Sequence, residues 1–134
     1  MNEKPYLIEF NKIGEPSLGY ISVAEEYSNI PFKIKRVYWT YFTPNHIKRG
    51  NHAHKKLQQV IIAVSGIIEF TLIDKKNQQQ IFILDKPDVG LFIPNEYWRE
   101  IKFSHNAVQL CLASEKYDEN DYIREYQEFK KLQK

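Results

Sequence analysis

The sequence predicts a mainly β fold, a sandwich, jelly roll or barrel, formed by a single domain over residues 1–134. Roughly nine or ten short β-like runs follow one another with turn residues between them. Aromatic residues are abundant, with 9 Tyr, 8 Phe and 2 Trp, and such side chains fill barrel cores or line ligand clefts. A chain of 134 residues suits one domain that folds without disulfides or a structural metal.

The first third of the chain predicts two short strands followed by a longer one. Residues 5–10 and 18–26 are the two β-like runs closest to the N-terminus. Residues 32–42 alternate well, and the two-residue period of a strand places Arg36 and Tyr38 on the same face. The segment that follows contains Pro, Asn and Gly and predicts a turn.

The middle of the chain predicts a series of closely spaced strands. The first of them carries two histidines into a strongly apolar run that ends at a Ser-Gly turn. Polar loops and Gly/Pro turns separate the others. The predicted strands lie in the stretches 51–66, 67–74, 81–84, 91–94, 98–103 and 107–114.

The C-terminal stretch has a helical rather than a β-like pattern, and it predicts a short helix over residues 118–133. Asp118 or Asn120 is a suitable N-cap, and lysines near the end suit the helix dipole. We interpret the apolar stripe as packing rather than chemistry. Its members are Tyr122, Ile123, Tyr126, Phe129 and Leu132.

Charge and cysteine content exclude several classes of function. The formal net charge is +2, from 19 basic and 17 acidic residues, which is too balanced for a dedicated nucleic-acid binder. Cys111 is the only cysteine and lies in an apolar run, which favours a buried, inert thiol. No apolar run is long enough to span a bilayer, and the N-terminus does not resemble a signal peptide. We therefore expect a cytoplasmic protein that contacts neither membrane nor nucleic acid.

The stretch "RGNHAHKK", residues 49–56, contains the strongest candidate for a functional site. On a strand, His52 and His54 point to the same side and share one space, such as the mouth of a barrel. A histidine pair of this kind either binds a metal or transfers protons. The residues around the pair decide between these two hypotheses.

The spacing resembles the first motif of the cupin barrels, in which His-x-His is followed by a metal-binding glutamate and a glycine. Here Gln59 occupies the acid position, and Arg99 occupies the position of the third histidine in the second motif, "PNEYWR". An amide does not neutralise a cation, and a guanidinium has no lone pair for a metal. We therefore expect a cupin-type barrel, or jelly roll, in which the metal site has been replaced and no cofactor is needed.

Without a metal, the pair suits acid–base chemistry. Tyr38 adds a further proton donor, and Arg36 shares its face. Arg49, Lys55 and Arg99 are candidates to hold an anion or to polarise a carbonyl. These residues predict proton transfer on a small, oxygenated and anionic substrate.

The chain as a whole resembles the sugar 3,4-ketoisomerases that act on dTDP-4-keto-6-deoxyglucose, which are related to the WxcM-like C-terminal domain. The resemblance implies a metal-free isomerase that moves a keto group from carbon 4 to carbon 3 through an enediol. It also implies a homodimer that exchanges N-terminal strands within residues 1–29, and a role in deoxyamino-sugar synthesis for lipopolysaccharide O-antigen or a secondary metabolite. The stretches that carry it are residues 30–38, 49–60, 88–94 and 112–131.

The resemblance also implies roles for individual residues. His52 is the candidate base, and His54 and Tyr38 assist the proton transfer or steady the enediol oxygens. The candidate substrate-binding residues are Arg49, Arg36, Arg99, Lys55, Gln59 and Leu18.

Two departures from the family pattern concern the product. Arg99 stands where many members have a histidine, and Leu18 stands where an arginine is commoner. The loop that contains Leu18 is expected to influence the configuration at carbon 4. The alternative functions are a non-catalytic sugar-nucleotide-binding cupin, a sugar epimerase and a metal-dependent cupin such as a dioxygenase.

Overall fold

The chain is mainly β in this computed structural model, which describes residues 3–132. A 3-10 turn, Glu119–Asp121, precedes the last strand, and one helix, α1 (Tyr126–Lys130), follows it. The strands are β1 (Tyr6–Glu9), β2 (Ile13–Glu15), β3 (Gly19–Ile21), β4 (Arg36–Tyr41), β5 (Lys48–His54), β6 (Gln59–Ser65), β7 (Ile68–Ile73), β8 (Gln79–Leu84), β9 (Val89–Ile93), β10 (Trp98–Phe103), β11 (Val108–Ala113) and β12 (Tyr122–Ile123).

Two five-stranded antiparallel sheets form the body of the fold. The first sheet has the order β1-β9-β6-β11-β4, and the second has the order β12-β5-β10-β7-β8. The main core lies between the two sheets and includes Ile61, Phe70, Leu91 and Cys111. This arrangement is the cupin-type barrel, or jelly roll, that the sequence predicts.

Strand β6 shows why the middle of the chain is so apolar. Its inner face contributes Ile61 and Ala63 to the main core, and its outer face contributes Val60 and Ile62 to a second cluster. Both faces of the strand are therefore buried, which requires a continuous apolar run rather than an alternating one. Burial of each isoleucine contributes about 1.5–3 kcal/mol to stability. The predicted strand over 51–66 is interrupted, because a loop at 55–58 separates β5 from β6.

The outer face of the first sheet is only partly covered. Ile8, Phe10, Ile30 and Phe32 lie on the outer face of this sheet and are buried in its second cluster. Towards the β4 edge, the side chains that alternate outward remain exposed. They are Val37 (47%), Trp39 (60%) and Tyr41 (55%).

Strands β2 and β3 form a separate two-stranded hairpin that pairs with no other described strand. All of its residues are exposed, and Leu18 in the connecting turn is 81% exposed. Gly14 has a φ of +138°, and a Cβ there would lie 2.0 Å from the backbone oxygen of Gly19. Only glycine fits this position, so the close approach of the two strands depends on it.

The C-terminal helix is shorter than predicted, since it covers Tyr126–Lys130 and not residues 118–133. Asp118 caps a 3-10 turn through a bond from the backbone N–H of Asn120, and β12 then pairs with β5. These bonds compete with helix formation in the first half of the predicted segment. Residue 133 lies outside the described residues. The packing interpretation is correct for Phe129, which is buried against Trp98.

Within residues 3–132, the structure contains no helix with the length and apolar character that crossing a membrane requires.

Candidate active site

The two histidines of β5 lie side by side with ring centroids 4.8 Å apart. A β-bulge directly before the pair sets the direction of the two rings. Gly50 and Asn51 both have positive φ values, of 90° and 57°, and the register between β5 and β10 shifts at this point. A Cβ on Gly50 would lie 2.9 Å from the backbone oxygen of Arg99. The glycine before the pair therefore allows β5 to approach β10 closely and brings Arg99 into register with His52.

His52 has the tautomer of a general base. Its Nδ1 lies 3.0 Å from the backbone oxygen of Gly50. A carbonyl only accepts, so Nδ1 carries the proton and Nε2 carries the lone pair. Burial, and then the positive charge of Arg99, lower the pKa of His52 from 6.5 to about 4. The ring is therefore neutral near pH 7 and able to accept a proton.

His54 is more deeply buried, with 1% of the residue exposed. Burial first, and then the charge of Arg99, strongly lower the pKa of its ring. Its Nδ1 has no hydrogen-bond partner in the described chain, and the Asp121 carboxylate lies 3.6 Å away. His54 is therefore also a neutral imidazole.

Arg99 is a buried cation, only 2% exposed, at the floor of the site. Its guanidinium donates to Gln59 Oε1 and to the backbone oxygen of Tyr97, the latter at 3.3 Å. Its Nε has no partner in residues 3–132, and no described carboxylate forms a salt bridge with it. Burial lowers the pKa of the guanidinium, which nevertheless stays charged. The site therefore holds a positive charge with no counter-charge of its own.

Gln59 connects Arg99 to Tyr38. Its Nε2 donates to the Tyr38 hydroxyl at 2.8 Å and lies 3.2 Å from Cys111 Sγ, while its Oε1 accepts from Arg99. Both ends of the amide are thus bonded inside the protein, and the side chain is 1% exposed. Burial raises the pKa of the Tyr38 hydroxyl, which keeps it protonated, and raises the pKa of the Cys111 thiol to about 11.

Two further predicted residues, Arg49 and Arg36, lie on strands β5 and β4 near the histidine pair. Arg49 pairs in register with Ile101, whose side chain lies in the barrel core, and so points to the same side. The Arg36 guanidinium lies over the rings of Tyr38, at 5.2 Å, and Tyr117, at 5.8 Å. The positive charge of Arg49 acts on His52 and that of Arg36 on His54, so both arginines border the histidine pair.

Lys55 and Leu18 are not brought to the histidines. Lys55 follows β5 directly and is exposed, and its backbone N–H donates to the backbone oxygen of Asp121. Leu18 lies on the separate hairpin, where it is exposed. Within residues 3–132 of one chain, neither side chain forms a hydrogen bond, salt bridge or ring contact with the histidine pair.

Sequence reasoning missed a group of residues in the C-terminal segment. The Tyr122 ring packs on His54 at 4.5 Å and on His52 at 5.2 Å, so this member of the predicted packing stripe belongs to the site instead. The Arg124 guanidinium lies 4.1 Å above the Tyr122 ring and forms two bonds to the Glu119 carboxylate. The only signal for this was the density of tyrosines and charges between residues 117 and 124, a composition that also suits a helix surface.

The donor set does not fit a metal. Residues 3–132 contain no group of three or more His, Cys, Asp or Glu side chains that could hold one. The cation of Arg99 lies in register with His52, where it would repel a metal ion. The expectation that no cofactor is needed stays a prediction.

Fold and site together define the class of the protein. It is a cupin-type barrel that brings together two neutral imidazoles, a protonated tyrosine and a guanidinium without a counter-charge in the described chain. Such a set can remove and return protons next to a developing negative charge.

Comparison with known proteins identifies the family. Residues 3–134 match the family model described as FdtA: WxcM-like, C-terminal. The chain belongs to this family, which confirms the resemblance predicted from the sequence. It is 45% identical over 126 residues to the TDP-4-oxo-6-deoxy-alpha-D-glucose-3,4-oxoisomerase of Aneurinibacillus thermoaerophilus, with 93% of this chain and 89% of that protein covered.

Solved structures agree with this assignment. QdtA, a sugar 3,4-ketoisomerase from Thermoanaerobacterium thermosaccharolyticum in complex with TDP, is 40% identical and has a TM-score of 0.93, with 99% of this chain and 96% of that chain covered. A His-to-Asn mutant of QdtA in complex with TDP-4-keto-6-deoxyglucose has the same TM-score and coverage at 39% identity.

Proposed function

We propose that this protein is a sugar-nucleotide 3,4-ketoisomerase that converts TDP-4-keto-6-deoxyglucose into a TDP-3-keto-6-deoxyhexose. The relatives that carry this activity in their names match over nearly the whole chain. One observation in the structure supports the chemistry most directly. His52 Nδ1 lies 3.0 Å from the backbone oxygen of Gly50, which leaves the Nε2 lone pair free, and His52 pairs in register with Arg99, a cation without a counter-charge in the described chain.

The reaction requires two proton transfers at carbon and no net oxidation. In our proposal, His52 Nε2 removes the proton from carbon 3, and the electron pair moves to form an enediolate across carbons 3 and 4. A proton then returns to carbon 4, the oxygen on carbon 3 loses its proton and becomes the keto group, and the oxygen on carbon 4 becomes a hydroxyl. Proton transfer of this kind is what a positioned imidazole accelerates.

Arg99 and Tyr38 suit the charge that forms in this reaction. The enediolate carries a negative charge that the ketone lacks, and a buried, preorganised cation stabilises such a charge selectively. The Tyr38 hydroxyl stays protonated because burial raises its pKa, so it serves as a hydrogen-bond donor or proton shuttle and not as a base. Gln59 has no free amide group for the sugar and instead holds both residues.

Arg49 and Arg36 are the proposed contacts for the anionic diphosphate. Both border the histidine pair, and neither forms a salt bridge in the described chain that would neutralise its charge. Guanidinium groups bind phosphate oxygens with two parallel hydrogen bonds. Lys55 does not border the histidine pair, and its side chain would have to turn toward the site to contact the diphosphate.

The decisive experiment follows the sugar by NMR in heavy water. With wild-type protein and TDP-4-keto-6-deoxyglucose, we expect loss of the carbon 3 proton, deuterium at carbon 4 and movement of the keto group to carbon 3. His52→Asn removes the base, so exchange and turnover should fall by about 10²–10⁴-fold while TDP binding persists. Undiminished turnover in His52→Asn would contradict the base assignment. Binding without any exchange in the wild type would favour a non-catalytic cupin, and exchange with inversion but no keto shift would favour an epimerase.

The proposal includes a homodimer in which the N-terminal hairpin crosses to the second copy. Two features support it. The hairpin is exposed throughout, and the outer face near β4 leaves Val37, Trp39 and Tyr41 uncovered. Exposed apolar side chains grouped in this way are typical of protein interfaces. An exchanged hairpin would carry Leu18 to the pocket of the other subunit, where it could influence the configuration at carbon 4.

Light scattering coupled to gel filtration tests this part of the proposal. The wild type should have the mass of two chains, and Trp39→Glu should shift it toward one chain because it places a charge in the interface. A wild type with the mass of one chain would contradict the dimer. The cytoplasmic location and the role in deoxyamino-sugar synthesis stay predictions from the sequence.

A further inference from the structure

Asp121 has a position that none of the roles above explains. Its carboxylate accepts the backbone N–H groups of Lys56, at 2.8 Å, and Leu57, at 3.2 Å, and its side chain is 11% exposed. The Asp121 backbone oxygen also accepts the N–H of Lys55. The residue is therefore tied at three points to the loop that directly follows the histidine strand. Its carboxylate cannot move far from this place without the loss of several hydrogen bonds.

The Asp121 carboxylate faces the orphaned nitrogen of His54. Oδ2 lies 3.6 Å from His54 Nδ1, which is longer than a hydrogen bond. No other described carboxylate lies within salt-bridge distance of this ring, and Nδ1 has no other partner in residues 3–132. A buried imidazole nitrogen beside a carboxylate is stable as N–H rather than as a lone pair, because two lone pairs that face each other repel.

We propose that Asp121 is a positioning residue that places the proton of His54 on Nδ1, leaving the Nε2 lone pair for the reaction. His54 then becomes the second acid–base group beside His52, and the two rings have the same tautomer for different reasons. A backbone carbonyl sets it in His52, and a carboxylate sets it in His54. The inference rests on the proposed isomerase activity, since a second proton-transfer group is of use only if protons are moved.

The carboxylate also distinguishes the two histidines by charge. When a ring accepts a proton from the sugar, it becomes an imidazolium close to the cations that surround the pair. The groups that face His54 are Arg99 from β10, Arg36 from β4, His52 on its own strand, and Tyr122 and Arg124 from the C-terminal segment. Asp121 is the one carboxylate within salt-bridge distance of His54 in the described chain, and it stabilises the protonated ring. Burial and the surrounding cations lower the pKa of His54 more than that of His52, and Asp121 offsets part of this cost when the His54 ring accepts a proton.

NMR of the wild type tests the tautomer without any substrate. Long-range ¹H–¹⁵N correlation on protein labelled at histidine distinguishes a protonated Nδ1 from a protonated Nε2. We expect the His54 proton on Nδ1, with the His52→Asn and His54→Asn variants used to assign these two rings among the four histidines of the chain. A His54 proton on Nε2 in the wild type overturns the proposal, whatever the activity of the protein.

Asp121→Asn then tests the consequence for turnover. The amide N–H₂ turned toward His54 would act as a donor, so the proton should move to Nε2 and kcat should fall by about 100-fold with KM little changed. Asp118→Asn is the matched control, because it changes a neighbouring carboxylate in the same turn whose bond to the Asn120 N–H an amide oxygen can also accept. An Asp121→Asn variant that keeps the His54 tautomer, or loses no more activity than Asp118→Asn, contradicts the proposal. A His54 proton on Nε2 in the NMR experiment would refute only the inference about Asp121. A wild type that is inactive on the sugar would instead refute the proposed function.

Discussion

Two arginines near the histidine pair have opposite surroundings. Arg124, at the rim, is about half exposed and forms two bonds to the Glu119 carboxylate, which also accepts the Tyr117 hydroxyl at 2.6 Å. Arg99, at the floor, is buried and has only the neutral oxygens of Gln59 and Tyr97 as partners. The rim pair neutralises itself, whereas the floor holds a charge that nothing in the described chain balances.

The difference shows where the protein can store electrostatic stabilisation for a reaction. An exposed ion pair is screened by water and salt, and its attraction is already satisfied before any ligand arrives. A buried cation with neutral partners is costly in the resting protein, and an anion that forms beside it lowers that cost. We therefore expect substitutions at the floor to change the reaction far more than substitutions at the rim.

Loss of the floor charge should have the largest effect. Arg99→Met removes the cation but keeps a long side chain, and we expect kcat to fall by about 10²–10³-fold. The free energy of unfolding should stay similar or rise, because a buried charge without a counter-charge destabilises the folded state. Steady-state kinetics and thermal unfolding of the same preparation measure both. A clear fall in the free energy of unfolding together with the fall in kcat would show that Arg99 has a packing role. It would contradict the contrast between the buried Arg99 and the exposed Arg124.

The pH dependence of kcat/KM should also show the influence of the Arg99 charge, with a smaller effect than the loss of Arg99 itself. Since the His52 pKa is lowered to about 4, kcat/KM should be level near neutral pH and fall as His52 becomes protonated around pH 4. The free energy of unfolding should also decrease as the pH falls from 6.5 to about 4, because the unfolded chain binds a proton at His52 that the folded chain does not.

The acid limb of this profile should depend on Arg99. In Arg99→Met, the residual activity should begin to fall at a higher pH, since one of the charges that oppose protonation of His52 is gone. Because the two histidines are neighbours, the profile reports the pair and not one ring alone. An acid limb that is identical in the two proteins would show that burial alone sets the pKa of His52.

Removal of the rim charge should have the smallest effect. The Arg124 guanidinium holds the pKa of the exposed Glu119 carboxylate down to about 2, so this pair is charged at any working pH. In Glu119→Gln, we expect little change in melting temperature and a modest change in KM that disappears at high salt. A fall in kcat as large as that of Arg99→Met would show that the rim belongs to the reacting centre.

Much of the site could be predicted from the sequence because it depends on short-range geometry. His52 and His54 face one space since strand side chains alternate, and the same rule places Arg36 and Tyr38 together. The family motif located Arg99 where other cupins have a metal ligand. The position of the Lys55 side chain could not be predicted by this rule, because β5 ends at His54 and strand alternation no longer applies after it.

The C-terminal segment could not be predicted in the same way. Its spacing suits a helix, and only the pairing of β12 with β5 makes Tyr122 a neighbour of the histidines. Asp121 reaches the site through hydrogen bonds to residues more than sixty positions earlier in the chain. No local pattern contains that information, because the competing helix and strand differ in long-range partners rather than in intrinsic preference.

The sequence by itself determined the fold class and the shared face of the histidine pair, since apolar periodicity and strand alternation follow from backbone geometry alone. The family came from the resemblance of its motifs. Only the tertiary structure decided that Gln59 is fully bonded to its neighbours, that Arg99 has no counter-charge and that a carboxylate faces His54. Those properties depend on which distant side chains meet when the sheets close, and burial then determines how strongly their charges act on one another.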